Sequence, residues 1–359
     1  MRILIIGGGR FLGRAFAAEA LAAGHQVTVF NRGKTSVDLD GVRVVHGDRE
    51  DPADLARLVA AAPAAADAPA VASAAAASAP AAADGGAGWD AVVDTCGFKP
   101  AVVGRSAKAL AGSARVYLFI SSINAYAQWP AEPVRDGSPK FECGPEKTVG
   151  EYGPLKAGCE RAVLAHFPDR TICIDAGLIL GPQENAGRLT WWLSRIARGG
   201  DVLAPGDPAR RIGPIDARDI ARFGLSCIEN GHYGAFPTTG PGTESMGDLL
   251  EACVAATGSG ARLVWADEEF VAAQGVGEWT GLPLWALAEG ESRSVWDVHS
   301  DRALKAGLVC RPIAETVRDT WEWLRDAEDL SDEDGLVEGH GTAPEKEAAV
   351  LAAWENEAR

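Results

Sequence analysis

The chain has 359 residues, 47% of them hydrophobic and 23% charged, and carries a formal net charge of −16. This composition describes a globular protein of one large domain or two, long enough to bury a sizeable core. The acidic balance argues against nucleic acid or anionic membrane as a partner, and no apolar run is long enough to span a bilayer.

The first predicted element is the apolar run Ile3-Leu4-Ile5-Ile6, which breaks into Gly7-Gly8-Gly9-Arg10-Phe11-Leu12-Gly13. Because the run feeds straight into glycines, it reads as a core strand and not as a signal peptide. An Ala-rich helical pattern follows, then a second strand, Val27-Thr28-Val29-Phe30, ending at Asn31-Arg32-Gly33-Lys34. Strand, glycine turn, helix, strand is the unit that aims backbone N–H groups and a helix N-terminus at a dinucleotide diphosphate. Gly7, Gly9, Arg10, Phe11, Leu12 and Gly13 are therefore candidate cofactor contacts. Arg10 stands where the common G-x-x-G-x-x-G spacing has its middle glycine.

At the end of the second strand, NAD-selective sites place a carboxylate against the ribose 2′-OH. Here Asn31 and Arg32 occupy that place, with Lys34 and Arg10 nearby. A 2′-phosphate would meet cations, so NADP(H) is favoured and NAD(H) stays open. Arg32 and Lys34 also read simply as solvated loop charges. Asp48, after a strand at 42–45, is a candidate for the adenine amino group or an ordinary turn residue.

Further strands are expected at 91–94, 115–120 and 171–174, giving an α/β fold: a Rossmann-type, doubly wound parallel sheet with right-handed crossovers. The segment 61–88 interrupts it; seventeen of its residues are Ala, and it reads as a low-complexity surface insertion. Residues 1–182 form the expected dinucleotide-binding domain, with 215–240 returning to it as a helix (Ile215–Phe223) and a strand (Gly234–Gly240). Residues 183–214 and 241–330 form a smaller α/β substrate lobe that includes helices Met246–Thr257 and Ile313–Leu324. An acidic linker from Ser331 leads to a last helix near Pro344–Glu357, docked on the surface or on a partner subunit.

The seven Cys show no C-x-x-C, the pattern of reduced thiols in a cytoplasm, and Cys173 and Cys253 lie in apolar patterns as packing residues. The six His show no H-E-x-x-H, so no metal site is expected.

The sharpest chemical signal is Tyr152-Gly153-Pro154-Leu155-Lys156. Pro154 suits the first turn of a helix, which puts Tyr152 at its start and Lys156 one turn along on the same face. A phenol ordinarily ionises near pH 10; an ammonium, a helix N-terminus and an oxidised nicotinamide all favour the phenolate. Such a pair moves a proton on or off a carbinol oxygen while hydride moves to or from a cofactor. Upstream, the strand Tyr117-Leu118-Phe119-Ile120 ends in Ser121-Ser122, hydroxyls at the ligand-binding edge of the sheet that also read as strand-end caps.

These motifs, with Asp94-Thr95-Cys96-Gly97 and Gly181-Pro182, resemble the extended short-chain dehydrogenase/reductases over roughly residues 1–325, closest to the NAD-dependent epimerase/dehydratase branch. The resemblance implies that Ser122 supplies the catalytic hydroxyl, that Tyr152 is the acid/base and that Lys156 binds the nicotinamide ribose. It places Thr95, Cys96, Gly97, Gly177 and Leu178 beside the cofactor, and suggests a homodimer through helices near 101–112 and 155–167. Two departures narrow the activity. Ile123-Asn124 stand where sugar-nucleotide dehydratases have Asp-Glu, and Leu178 stands where many sugar-nucleotide epimerases have Asn. The Gly-Gly-x-Arg-Phe turn also resembles an atypical branch containing chloroplast stem-loop-binding proteins; the Tyr/Lys pair and the acidic charge argue against RNA binding.

The expected function is NAD(P)(H)-dependent hydride transfer at a secondary alcohol or ketone of a small polar, sugar-like metabolite, in the cytoplasm. The alternatives are an epimerase with a transient keto intermediate and a non-catalytic, cofactor-bound interaction protein. Candidate substrate contacts are Ser122, Asn124, Arg188, Trp192 and Arg211. Trp191-Trp192 also read as core, and Arg218 as a partner of Asp216 or Asp219.

Overall fold

The strand β1 (Arg2–Ile6) is buried on both faces because it lies in the middle of a parallel sheet covered by helices on each side. The computed structural model describes residues 1–64, 88–327 and 341–357; most of the Ala-rich segment at 61–88 and nearly all of the acidic linker from Ser331 lie outside the described residues. In chain order the first half contains α1 (Phe11–Ala22), β2 (Gln26–Asn31), β3 (Val42–His46), α2 (Pro52–Ala60), β4 (Trp89–Asp94), α3 (Pro100–Leu110), β5 (Ala114–Ser122), α4 (Tyr152–Leu164) and β6 (Thr171–Ala176). The second half contains β7 (Ile179–Leu180), α5 (Arg188–Ala197), β8 (Asp201–Pro205), β9 (Arg211–Ile212), β10 (Ile215–Asp216), α6 (Ala217–Asn230), β11 (Gly234–Thr238) and β12 (Glu244–Ser245). It ends with α7 (Met246–Thr257), β13 (Arg262–Ala266), α8 (Glu268–Ala273), α9 (Asp301–Lys305), α10 (Ile313–Asp326) and α11 (Pro344–Glu357).

Seven strands pair in the order β11-β6-β5-β4-β1-β2-β3, every pair parallel. The order reverses between β1 and β4, so the crevice outside their carboxyl ends is the expected ligand position. Alternation along the strands feeds two cores. Ile3, Ile5, Leu118 and Ile120 meet Phe16 of α1 and Phe223 of α6 on one face; Leu4, Ile6, Tyr117 and Phe119 meet Leu55, Val103 and Val163 of α2, α3 and α4 on the other.

A third core belongs to the second lobe, built on Trp192, Leu193, Leu249, Leu250, Val317 and Val350. Its helix α7 spans the predicted residues and begins with a capping box between Ser245 and Asp248. The helix expected at Ile215–Phe223 starts two residues later, because Ile215 and Asp216 first pair with β7. It then runs on to Asn230, where Gly231 at φ +69° stops it. The stretch 199–214, rich in Gly and Pro, holds a strand that composition hides: β8 pairs in parallel with β13. The last helix docks on this lobe. Glu347 is buried and accepts Leu203 N at 3.1 Å and Arg195 Nε at 2.5 Å, while Trp354 packs on Phe270 with centroids 4.9 Å apart.

Candidate active site

A cleft of about 520 Å³ opens over the carboxyl ends of the central strands, lined by Gly7, Gly9, Arg10, Asn31, Arg32, Lys34, Asp48 and Cys96 among the expected residues. That volume suits a cofactor-sized ligand. The glycines are required by close approach. Gly7 lies at φ +96°, and a Cβ on Gly13 would fall 2.5 Å from Gly7 O and 2.9 Å from Gly8 Cα. The start of α1 thus sits directly on the turn, with no acidic side chain in its first turn to oppose a bound phosphate. Phe11 holds a positive φ of 40° at that start, and Leu12 is buried beneath it. The side chain of Asn31 leaves a buried Nδ2 without a partner, while its Oδ1 accepts Gly33 N at 2.9 Å. These features fit a dinucleotide: a cradle that a Cβ would fill, an unopposed helix end and an unpaired donor at the strand terminus.

Several lining residues escaped the sequence reading. Arg49 follows Asp48 and forms the floor of the cleft, its guanidinium bidentate on the fully buried Asp94 at 2.8 and 2.6 Å. Asp94 also accepts Tyr117 OH at 2.8 Å and Cys96 N at 3.2 Å. Burial opposes its charge, but Arg49, Tyr117 and Cys96 N together hold its pKa below the ordinary carboxylate range. The Cys96 thiol is pushed up by burial and then by Asp94, so it stays a neutral wall. Asp48 turns its carboxylate to Glu50 N at 2.8 Å. Phe98 and Asn185 complete the wall, the latter from the loop ahead of α5. The sequence carries no sign of the role of Arg49 because its partner lies 45 positions away.

Outside the lining of the cleft, α4 begins at Tyr152, which is 47% exposed with its ring tilted against the cleft-wall residue Phe98, centroids 6.4 Å apart. Lys156 is buried and donates from Nζ to Gly97 O at 2.9 Å and Ile120 O at 2.7 Å. Its ammonium stands 5.9 Å from the Tyr152 ring centroid. Ser122 closes β5, and its Oγ accepts Asn124 N and Nδ2, each at 3.2 Å; among the described residues its own proton has no acceptor. The two elements meet through Gly153, where a Cβ would lie 2.2 Å from Asn124 O. Ser122, Tyr152 and Lys156 are thereby brought to one edge.

The remaining expected contacts divide. Thr95 bonds back to Ile6 O at 3.1 Å and helps close the glycine turn, since its Oγ1 would lie 3.0 Å from a Cβ on Gly13. Gly177 packs on Thr239, and Leu178 accepts Ile215 N at 2.9 Å; both carry the chain from the sheet to the second lobe and do not line the cleft. Trp192 is fully buried with its indole N–H on Pro283 O at 2.7 Å, so it is core and not a substrate contact. Arg211 is exposed on β9 and donates to Thr243 O, away from the cleft lining. Arg188 is not in the cleft lining; three residues after Asn185, it pairs with Glu184 at 3.6 Å. Arg218 pairs with Asp216 at 2.7 Å. Cys173 and Cys253 are buried packing residues. No group of His, Cys, Asp and Glu among the described residues could hold a metal ion, and no helix among them is long and apolar enough to cross a membrane.

Comparison with known proteins agrees with this fold. The chain is 29% identical over 250 residues to a 2-alkyl-3-oxoalkanoate reductase of Stenotrophomonas maltophilia, covering 69% of this chain and 68% of that protein. Its fold is similar to that of the Bordetella bronchiseptica enzyme WbmH in complex with NAD+, with a TM-score of 0.65 at 16% identity over 90% of this chain and 98% of that one. It is also similar to a Thermus thermophilus UDP-glucose 4-epimerase in complex with NAD, with a TM-score of 0.62 at 15% identity over 91% of this chain and 100% of that one. Residues 3–236 match the NAD dependent epimerase/dehydratase family, and the chain belongs to that family.

Proposed function

We propose that this enzyme of the extended short-chain dehydrogenase/reductase type is an NADP(H)-preferring reductase of a ketone, with Tyr152 as proton donor and Ser122 as the hydroxyl that polarises the carbonyl. The observation that carries the reading is Lys156: a buried ammonium anchored on Gly97 O and Ile120 O, beside both the cleft and Tyr152. Two of its three protons are thereby committed, which leaves one N–H to give to a ligand. A nicotinamide held in the cleft would supply the hydride. Ser122, held by Asn124, has a proton to give to a substrate oxygen, and Tyr152 stands at the mouth to protonate the developing alkoxide.

The preference for a 2′-phosphate rests on Arg32 and Lys34, which line the rim exposed and, among the described residues, without a carboxylate partner. A 3-oxo acid is the substrate class we favour, by the activity named for the Stenotrophomonas relative. Arg188 is the cation on the second lobe that stands closest in sequence to the cleft lining. Native mass spectrometry of the purified protein, followed by NADPH oxidation with a 2-alkyl-3-oxoalkanoate, tests the reading. Net NADPH consumption supports a reductase. A nucleotide retained through turnover with no net absorbance change points instead to an epimerase.

A further inference from the structure

Behind the Ser122 strand end lies a group of charges that hydride transfer itself does not use. Glu160 sits on α4 one turn beyond Lys156 and two beyond Tyr152, and is 5% exposed. One of its carboxylate oxygens accepts the hydroxyl of Ser121, the neighbour of Ser122 on β5. The other accepts Lys140 Nζ at 2.6 Å, from the loop that joins β5 to α4. Lys140 also donates to Asp175 Oδ2 at 2.8 Å, at the end of β6, and Tyr126 OH donates to the same oxygen at 2.8 Å. Asp175 Oδ1 is buried and has no partner.

A single carboxylate therefore ties together the three pieces that make the reaction site: the strand end with Ser122, the helix with Tyr152 and Lys156, and the loop between them. The groups facing Glu160 are Ser121 and Tyr126 from β5 and its extension, Lys140 from the loop, and Cys173 and Asp175 from β6. Two carboxylates share one ammonium in a space shielded from water, an excess negative charge that a protein interior resists by holding a proton. Burial keeps the Tyr126 phenol and the Cys173 thiol protonated, and Lys140 stays an ammonium because Asp175 and Glu160 outweigh its own burial. The proton falls on Glu160, pushed up to about 7 by burial and then by Asp175, against the pull of Lys140.

We propose that Glu160 is a positioning residue for the reaction site: ionised, it clamps Ser121 and Lys140 and holds Ser122 against α4, and protonated, it releases that clamp. The proposal rests on the hydride-transfer reading above. An ionised acceptor makes hydrogen bonds about twice as strong as a neutral one. When Glu160 takes up a proton, its bond from Lys140 loses the charge on the acceptor, and one of its oxygens becomes a donor that Ser121 must accommodate. Ser121 and Ser122 share a peptide bond, so reorientation of one moves the other, and small displacements at a reacting group are costly to turnover.

Glu160→Gln imitates the protonated carboxyl, and Lys140→Met removes the shared cation. Infrared titration of the full chain without substrate should show two buried protonated carboxyl bands that disappear near neutral pH, one of them lost in Glu160→Gln and moved to higher pH in Lys140→Met; Glu184→Gln identifies the other. Amide exchange at 121–126 and 152–156 should be faster in Glu160→Gln than in the parent above neutrality, and equal below it. With NADPH and a 2-alkyl-3-oxoalkanoate, kcat of the parent should rise through the same pH. In Glu160→Gln it should be about tenfold lower and independent of pH in that window, with KM and NADPH affinity within about twofold. A Glu160→Gln protein that keeps the parental kcat and inflection, or only melts at lower temperature, overturns the proposal, as does the absence of its titrating band. Failure of the parent to bind NADPH, or an unimpaired Tyr152→Phe, overturns the hydride-transfer reading instead, and the infrared and exchange results then still judge the clamp.

Discussion

Removing the charge of Asp94 should unfold the floor of the nucleotide cleft, because Asp94 is the sole carboxylate on Arg49 among the described residues. Asp94 is fully buried and accepts four hydrogen bonds: two from Arg49, one from Tyr117 OH and one from Cys96 N. Asp94→Asn leaves the guanidinium, itself 11% exposed, without its counter-ion. Breaking a buried pair from one side costs about 3–5 kcal/mol. Arg49→Met strands the opposite charge and should cost a similar amount, eased by the Tyr117 and Cys96 donors that remain. Removing both charges in Arg49→Met/Asp94→Asn eliminates the unpaired ion but leaves one of the two donors Tyr117 OH and Cys96 N without its acceptor, a penalty of roughly 1–3 kcal/mol. The double variant should therefore be more stable than the sum of the singles by at least about 3 kcal/mol. Urea unfolding followed by tryptophan fluorescence measures the cycle, and 11 Trp provide the signal. The pair has a pH signature as well. With its folded pKa depressed, Asp94 contributes stability that is fully present above its unfolded value near 4 and is lost as pH falls through the folded value. Asp94→Asn should flatten that acid limb. Single variants that each cost less than about 1 kcal/mol, or a double variant equal to their sum, would refute the reasoning.

Arg32→Asp should lower NADPH affinity about tenfold or more and raise that for NADH, since a charge-assisted bond to phosphate contributes roughly 1.5–3 kcal/mol; equal titrations before and after would remove Arg32 from the 2′-phosphate site. Gly153→Ala should cut turnover and loosen the start of α4, because its Cβ would stand 2.2 Å from Asn124 O; full activity at parental melting temperature would show that the approach can relax at no cost. Glu184 is buried and pushed up to about 7 by burial, although Arg188 and the Leu189 and Arg188 amides oppose the shift. A carboxyl that keeps its proton in the fold and loses it in the unfolded chain makes stability fall as pH rises from about 4.5 toward 7. Glu184→Gln should flatten that part of the stability–pH curve, and an unchanged slope would contradict the assignment.

The glycine turn and the first six strands were legible because each rests on local pattern: apolar runs of the right length, glycines where Gly7 and Gly13 permit close approach, and a proline-started helix at Tyr152. Spacing alone put Lys156 one turn along α4 from Tyr152. Ion pairs were not legible in this way. Arg49–Asp94 and Lys140–Glu160–Asp175 join residues from different crossovers, and nothing in a linear pattern records which loop a buried cation will enter. Trp191-Trp192 shows the limit of adjacency. In a helix, neighbours point about 100° apart, so Trp192 enters the core while Trp191 stays half-buried at its edge. The strand β8 was hidden because its apolar content, Val202-Leu203-Ala204, is brief and flanked by Gly and Pro. Nothing in the sequence singles out Glu347, yet it pins the last helix to β8 and Arg195.

The most direct test of the central claim compares Tyr152→Phe with the parent for NADPH binding and for reduction of a 2-alkyl-3-oxoalkanoate. The expected result is NADPH affinity within about twofold of the parent and kcat lowered at least about a hundredfold, the range for losing a positioned general acid. Undiminished reduction by Tyr152→Phe would contradict the assignment of the phenol as proton donor.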